Sequence, residues 1–103
     1  MDLQNIQKLF QARSIKWSTH CLTRMQERDI TREDVLSCIA GGEIIENYPD
    51  DYPFPSCLIF GHTVEGKVLH TVVGTDGNTA YIITAYYPSM EKFQPDMKTR
   101  KEI

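Results

Sequence analysis

Apolar positions change their period once along this chain, at Gly42. Before it, Leu3, Ile6, Leu9 and Phe10 recur at helical spacing, so residues 2–13 read as a first amphipathic helix that Trp17 would pack down. Ser18 or Thr19 can cap a second helix over about 19–28, which the Asp29-Ile30-Thr31 step ends. Thr31-Arg32-Glu33-Asp34 resembles a capping box. It opens a third helix that buries Val35, Leu36, Cys38 and Ile39 and stops at Gly41-Gly42.

After Gly42 the runs GEIIENY, PSCLIFGHTV, KVLHTVVGT and TAYIITAYYP are rich in Ile, Val, Thr, Tyr and Phe, and turn-forming residues separate them. They predict four strands. Glu65-Gly66 and Asp76-Gly77 are two-residue hairpin signals of the type I′ kind, so the last three strands should form an antiparallel meander. Pro49, Pro53 and Pro55 make the first connection a longer, acidic loop. The order of elements predicts an α+β domain: three short N-terminal helices packed on one face of a four-stranded antiparallel sheet, with the other face open.

At 103 residues the chain is long enough for one modest core, and it reads as a single domain, 1–103. Its central part spans about 18–90, and 91–103 is a polar C-terminal tail anchored by Phe93. Composition agrees with a folded domain, at 41% hydrophobic and 24% charged. No apolar run approaches the ~20 residues of a membrane span, and the first ten residues lack a signal peptide's apolar stretch, so a cytoplasmic location is expected. Net charge is −3, which counts against a uniformly basic nucleic-acid surface. The distribution is uneven, however. Residues 1–36 carry six bases against five acids, 37–56 four acids and no base, and 91–103 four bases against three acids, so both ends are expected to be locally positive.

One helical stripe exceeds what packing requires. His20, Arg24 and Arg28 recur every four residues beside the apolar Cys21, Leu22 and Met25. A histidine near two guanidiniums offers a proton-transfer group beside fixed positive charge, which suits phosphodiester chemistry. In the meander, period-two alternation puts His70 on one side of its strand, and His70, Thr84 and Tyr86 are expected to share one edge of the sheet. Exposed tyrosines can stack on unpaired bases. Tyr48 and Tyr86 are the candidates, with Tyr81 and Tyr87 assigned to packing. Glu43 and Glu46, at odd and even strand positions, should point to opposite faces, which argues against a glycosidase pair. Cys21, Cys38 and Cys57 are odd in number and widely spaced, so they read as buried thiols, and neither a metal site nor another cofactor is indicated.

His20, Arg24-Met25-x-x-Arg28-x-Ile30, Val35, Gly42-Glu43-Ile44-Ile45-Glu46-x-Tyr48, Leu69-His70-x-Val72 and Ile82-Ile83-Thr84-x-Tyr86-x-Pro88 together resemble a prokaryotic family of domains of unknown function. That family is distantly similar to the RelE-like and barnase-like ribonuclease toxin superfamily. The resemblance implies a RelE-like fold and a toxin-type ribonuclease, and the lack of residues at metal-ligand spacing makes the expected activity that of a metal-independent endoribonuclease. The resemblance marks His20, Arg24, Arg28, Tyr48, His70, Thr84 and Tyr86 without assigning them roles; by their chemistry His20, Arg24, Arg28, His70 and Tyr86 are the candidate catalytic residues, and Tyr48 and Thr84 would bind substrate RNA. Which histidine is acid and which is base stays open. It also implies a cognate antitoxin protein as partner. The alternative is a non-catalytic protein-interaction module on the same scaffold.

Overall fold

Each of the three helices is closed at its start by a side chain that accepts an otherwise orphaned backbone N–H. In the computed structural model, which describes residues 2–102 and so leaves positions 1 and 103 of the domain outside it, α1 spans Leu3–Gln11 and is capped by Asp2. Ser18 caps α2, Thr19–Glu27, and Thr31 caps α3, Arg32–Ala40. The expected capping box is formed: Thr31 accepts from the Asp34 amide and Asp34 accepts from the Thr31 amide, both at 3.0 Å. Asp34's other oxygen accepts from the Val64 amide at 3.1 Å, which ties the start of α3 to a sheet turn.

The sheet has five strands rather than four, in the order β1-β5-β4-β3-β2: β1 Ile15–Trp17, β2 Glu43–Tyr48, β3 Ser56–His62, β4 Val68–Thr75 and β5 Ala80–Tyr86. β2 to β5 pair antiparallel, as the meander predicts. The additional strand, β1, lies parallel to β5 at the sheet's edge, with Ile15 opposite Ala80 and Trp17 opposite Ile82. Its three residues are too few to show a period. Arg13, at φ 59°, turns the chain out of α1, and the Ser14 carbonyl accepts from the Ala80 amide at 2.9 Å, which delivers β1 to its partner. The two meander turns are also longer than two-residue type I′ loops. Positive φ occurs at Gly66 (89°) and Gly77 (96°) but not at Glu65 or Asp76, so each is a longer loop with one left-handed glycine.

Alternation along the strands divides the sheet into two faces. Cys57, Ile59, Leu69, Val73, Ile82 and Ala85 point to the helices, where they meet Ile6, Phe10, Met25, Val35 and Ile39 in one buried core. Leu58, Phe60, His70, Val72, Thr84 and Tyr86 belong to the other face. That face is not open. Residues 92–101 close into a C-terminal hairpin, with Gln94 N–H bonded to the Thr99 carbonyl and Lys101 N–H to the Lys92 carbonyl, and Phe93 is 1% exposed beneath it. Among the described residues no helix is long and apolar enough to cross a membrane.

The helix face depends on one close approach. A Cβ added at Gly61 would lie 2.2 Å from the Cys38 carbonyl oxygen, and one at Gly42 2.3 Å from the same atom, so α3 rests directly on the backbone of β3. Backbone cannot step aside as a side-chain tip can. Gly61→Ala is therefore expected to destabilise the domain by at least the ~1–3 kcal/mol typical of overpacking. Gly41→Ala, where nothing lies within 4 Å, should change stability little; urea unfolding of the two variants checks the contrast.

Candidate functional site

His70 sits at the centre of the second face, opposite Phe60 on β3 and Tyr86 on β5, and is fully buried. Phe93 of the hairpin stands edge-on to its ring at 4.7 Å, and Tyr86 lies at 5.3 Å. Its Nε2 is 2.6 Å from the Met97 carbonyl oxygen. A carbonyl only accepts, so Nε2 carries the proton and Nδ1 is left as an acceptor. The Tyr86 hydroxyl, 3.4 Å from Nδ1, is placed to donate to it. Burial pushes the His70 pKa down, against the opposing influence of the Met97 hydrogen bond and the Glu46 charge, so the imidazole is neutral at pH 7.

Beside this ring lies a cluster that joins β2 to the hairpin. Arg100 donates from Nε to Glu46 at 2.7 Å and lays its guanidinium over the Phe93 ring at 4.9 Å. The Tyr48 hydroxyl donates to the other Glu46 oxygen. Burial alone would raise the Glu46 carboxyl, but the hydrogen bonds from Arg100 and Tyr48 outweigh it and hold the pKa below its ordinary value. Burial and the Glu46 carboxylate push the Tyr48 phenol up to about 12. Lys98 pairs with Glu43 and sits 4.8 Å over the Phe60 ring. Glu43 and Glu46 thus share a face, contrary to simple alternation, because the register shifts between Ile44 and Glu46.

Arg28 reaches the same region from α2. Its Nη1 donates to the Thr84 hydroxyl at 3.2 Å and to the Ala85 carbonyl at 2.9 Å, on the part of β5 that lies beyond β1. Between Arg28 and the hairpin runs a groove of about 550 Å³ lined by Arg28, Tyr86, Tyr87, Ser89, Lys92, Phe93 and Arg100. Tyr87 is fixed there by a hydrogen bond from its hydroxyl to the Asp29 carbonyl at 3.3 Å. Three cations and two tyrosines therefore border one depression, a combination suited to a phosphate and an adjoining base.

Of the candidates from sequence, Arg28, His70, Thr84, Tyr86 and Tyr48 come into this neighbourhood. His70, Thr84 and Tyr86 share a face of two interior strands rather than an edge. His20 and Arg24 do not join them. His20 is exposed near the start of α2, and Arg24 pairs with Glu27 at 3.6 Å, half exposed. The sheet separates His20 from His70. Glu46, Lys92, Phe93 and Arg100 were not foreseen as site residues; the one signal toward them was the positive balance and single aromatic of residues 91–103. Among the described residues no group of His, Cys, Asp and Glu could hold a metal ion. The three cysteines are free and buried, and desolvation lifts Cys38 and Cys57 to about 11.

Residues 17–87 match the family model described as "Domain of unknown function (DUF4258)". No curated protein and no solved structure matches the chain. The matched stretch supplies Arg28, Tyr86 and Tyr87, whereas Lys92, Phe93 and Arg100 follow it.

Glu46 carries the electrostatics of this cluster, so its charge is testable. Glu46→Gln keeps the size but weakens two hydrogen bonds, and is expected to cost about 1–2 kcal/mol at pH 7. A carboxyl whose folded pKa is depressed contributes stability above its ordinary value of 4.5 and loses it as pH falls through the folded value. The difference between wild type and variant in urea unfolding should therefore shrink toward zero under acid conditions.

Proposed function

The chain belongs to the DUF4258 family, whose description assigns no activity, and from the groove we propose that it binds single-stranded RNA and cleaves it without a metal, as a toxin-type endoribonuclease. The observation that carries this reading is the placement of Arg28, Lys92 and Arg100 around Tyr86 and Tyr87 in one depression. Arg28 and Arg100 would neutralise the charge that develops on the phosphorane, and Tyr87 offers a partly exposed ring for a base. Glu46 and Phe93 hold Arg100 by Nε and by one ring face, which fixes its charge at the rim of the groove.

The nucleophile in this mechanism is the RNA's own 2′-hydroxyl. Its proton passes to the Tyr86 oxygen as the Tyr86 proton passes to Nδ1 of His70, the open acceptor of that ring. Attack on phosphorus forms a 2′,3′-cyclic phosphate, the 5′ oxygen leaves with a proton from solvent, and His70 returns its extra proton to solvent through the Tyr86 hydroxyl. His20 has no part in this scheme, which narrows the pair of candidate histidines to one. The RelE-like and barnase-like relationship implied by the sequence motifs, and a cytoplasmic site of action, belong to the same proposal. So does an antitoxin partner, whose acidic residues would meet the groove's cations in a salt-sensitive association.

A second reading rests on a different observation: both His70 nitrogens are engaged and the hairpin closes over the ring. A non-catalytic interaction module on the same scaffold would keep that arrangement for stability alone.

Incubation of the purified chain with single-stranded RNA in a chelator decides between them. Cyclic-phosphate termini should appear, while DNA of the same sequence stays intact. Arg28→Ala or Arg100→Ala should lower turnover by about 10²-fold, the scale for removing one preorganised donor to an oxyanion. His20→Ala should cleave at the wild-type rate. A requirement for magnesium, or equal attack on DNA, refutes the mechanism; RNA that is neither bound nor cut favours the interaction module.

A further inference from the structure

An extra residue in β5 gives the second face another depression. Val72 pairs with Thr84 and Val73 with Ile82, which leaves Ile83 without a partner and 44% exposed. Because of that bulge Tyr81, opposite Gly74, falls on the same face as Thr84 and Tyr86; simple alternation would turn it away. A groove of about 550 Å³ opens there beside the edge strand β1, and Lys16, Trp17, Tyr52, Phe54 and Tyr81 border it. It shares no residue with the cationic groove.

The walls of this groove are fixed before any ligand arrives. Phe54 and Tyr81 stack with ring centroids 5.0 Å apart and an interplanar angle of 18°. The Tyr81 hydroxyl donates to Asp76 at 3.2 Å, and Asp76 in turn accepts from the Asn78 and Thr79 amides. The loop that carries Phe54 is tied to the end of β4, where the Thr75 amide donates to the Pro55 carbonyl at 3.2 Å. Phe54 is thus held from behind by a second ring. Tyr52, beside it, is 93% exposed, a large aromatic side chain that the fold leaves uncovered.

The charge bordering the groove is a cation. Lys16 places its ammonium 6.0 Å over the Tyr81 ring. The acids at this end of the sheet are turned to internal donors, Asp76 as above and Asp51 to the Ser56 hydroxyl at 2.5 Å, and Asp50 does not border the groove. Aromatic rings beside one ammonium match a nucleobase joined to a phosphate. An apolar peptide segment would instead desolvate Lys16 without giving it a partner.

We propose that this groove is a second nucleotide subsite, which takes a base of the same single-stranded RNA whose scissile phosphate lies in the cationic groove. Phe54 and Tyr52 stack on the base, Lys16 meets the adjoining phosphate, and Tyr81 positions Phe54. The proposal rests on the RNA-binding part of the function proposed above and adds a contact remote from the cleaved bond. Tyr81 and Tyr86 stand five residues apart on β5, about 16 Å at the rise of a strand. A few nucleotides of extended single strand cover that distance. Stacking tolerates every base, so the subsite selects for strand length and for unpaired bases rather than for sequence.

Trp17 is the chain's only tryptophan and borders this groove, so its fluorescence reports occupancy directly. Oligoadenylates with 2′-O-methyl groups, which lack the attacking hydroxyl, serve as probes. A decanucleotide should quench Trp17 and bind at least ten-fold more tightly than a dinucleotide, which is too short to reach both grooves. Tyr52→Ala should weaken the decanucleotide about 5- to 150-fold, the range for removing one stacked ring, while Tyr52→Phe keeps the affinity. Lys16→Gln should reduce the slope of log affinity against log salt by about 0.7, the loss of one phosphate contact on a single strand. Both positions are exposed, so neither variant threatens the fold. Decanucleotide binding that leaves Trp17 emission unchanged, or that is as tight in both variants as in the wild type, overturns the subsite; cleavage of unmodified RNA would then still uphold the proposed function. Quenching that these variants lose, with unmodified RNA left uncut, supports the subsite and sinks the endoribonuclease. Absence of any single-strand binding overturns both.

Discussion

A buried imidazole must give its N–H to an acceptor, and the strands around His70 have none to spare because their carbonyls are committed to ladder pairing. The acceptor comes from outside the sheet, at Met97. That requirement organises the whole second face. To place the Met97 carbonyl over the ring, the chain reverses between Gln94 and Thr99, and the reversal sets Phe93 against the imidazole and returns Lys98 and Arg100 toward β2. No buried side-chain polar atom among the described residues is left without a partner, so the network is complete rather than partial. A complete network specifies one geometry; a partial one would cost more than an apolar face.

The two faces are stabilised by different physics. On the helix face, apolar burial and the glycine contacts beneath Cys38 dominate, with Thr71 donating to the Cys38 thiol. On the other, charge complementarity joins an acidic strand to a basic hairpin. The bulge in β2 matters here, because without it Glu43 and Glu46 would fall on opposite faces and only one could meet the hairpin. Pairing of these acids also explains how a chain of net charge −3 presents a locally cationic groove. Lys98 is spent on Glu43, whereas Lys92 and Arg28 border the depression and Arg100 reaches it across Glu46.

What could be read from the sequence was what nearby residues determine. The capping box at Thr31, the change of period at Gly42 and the antiparallel meander all follow from contacts a few positions apart, and they are present. The parallel β1 was hidden because its partner lies 65 residues on, as Ile15 opposite Ala80 shows, and three residues carry no period. The face of His70 could not be chosen, since Val68, His70 and Val72 mix polar and apolar residues as fully as Leu69, Thr71 and Val73 do. In the helical stripe, spacing set His20, Arg24 and Arg28 in one row. It could not show that only the last of them, at the helix end, reaches the uncovered part of β5.

Arg28 and Arg100 therefore approach the groove with unequal freedom. Arg28 is fixed to the domain by the Ala85 carbonyl and the Thr84 hydroxyl. Arg100 is carried by a segment that follows the family domain, and its order depends on Glu46 and Phe93. Orienting a long side chain costs conformational entropy, of order 1.5–2 kcal/mol for an arginine fully immobilised. Here that ordering is met by contacts made before any ligand arrives, provided the hairpin is docked. A ligand that bridges both guanidiniums would find one always in place and the other in place only with His70 covered. Occupancy of the groove and closure over the imidazole would then favour each other, because each stabilises the same arrangement of residues 92–101.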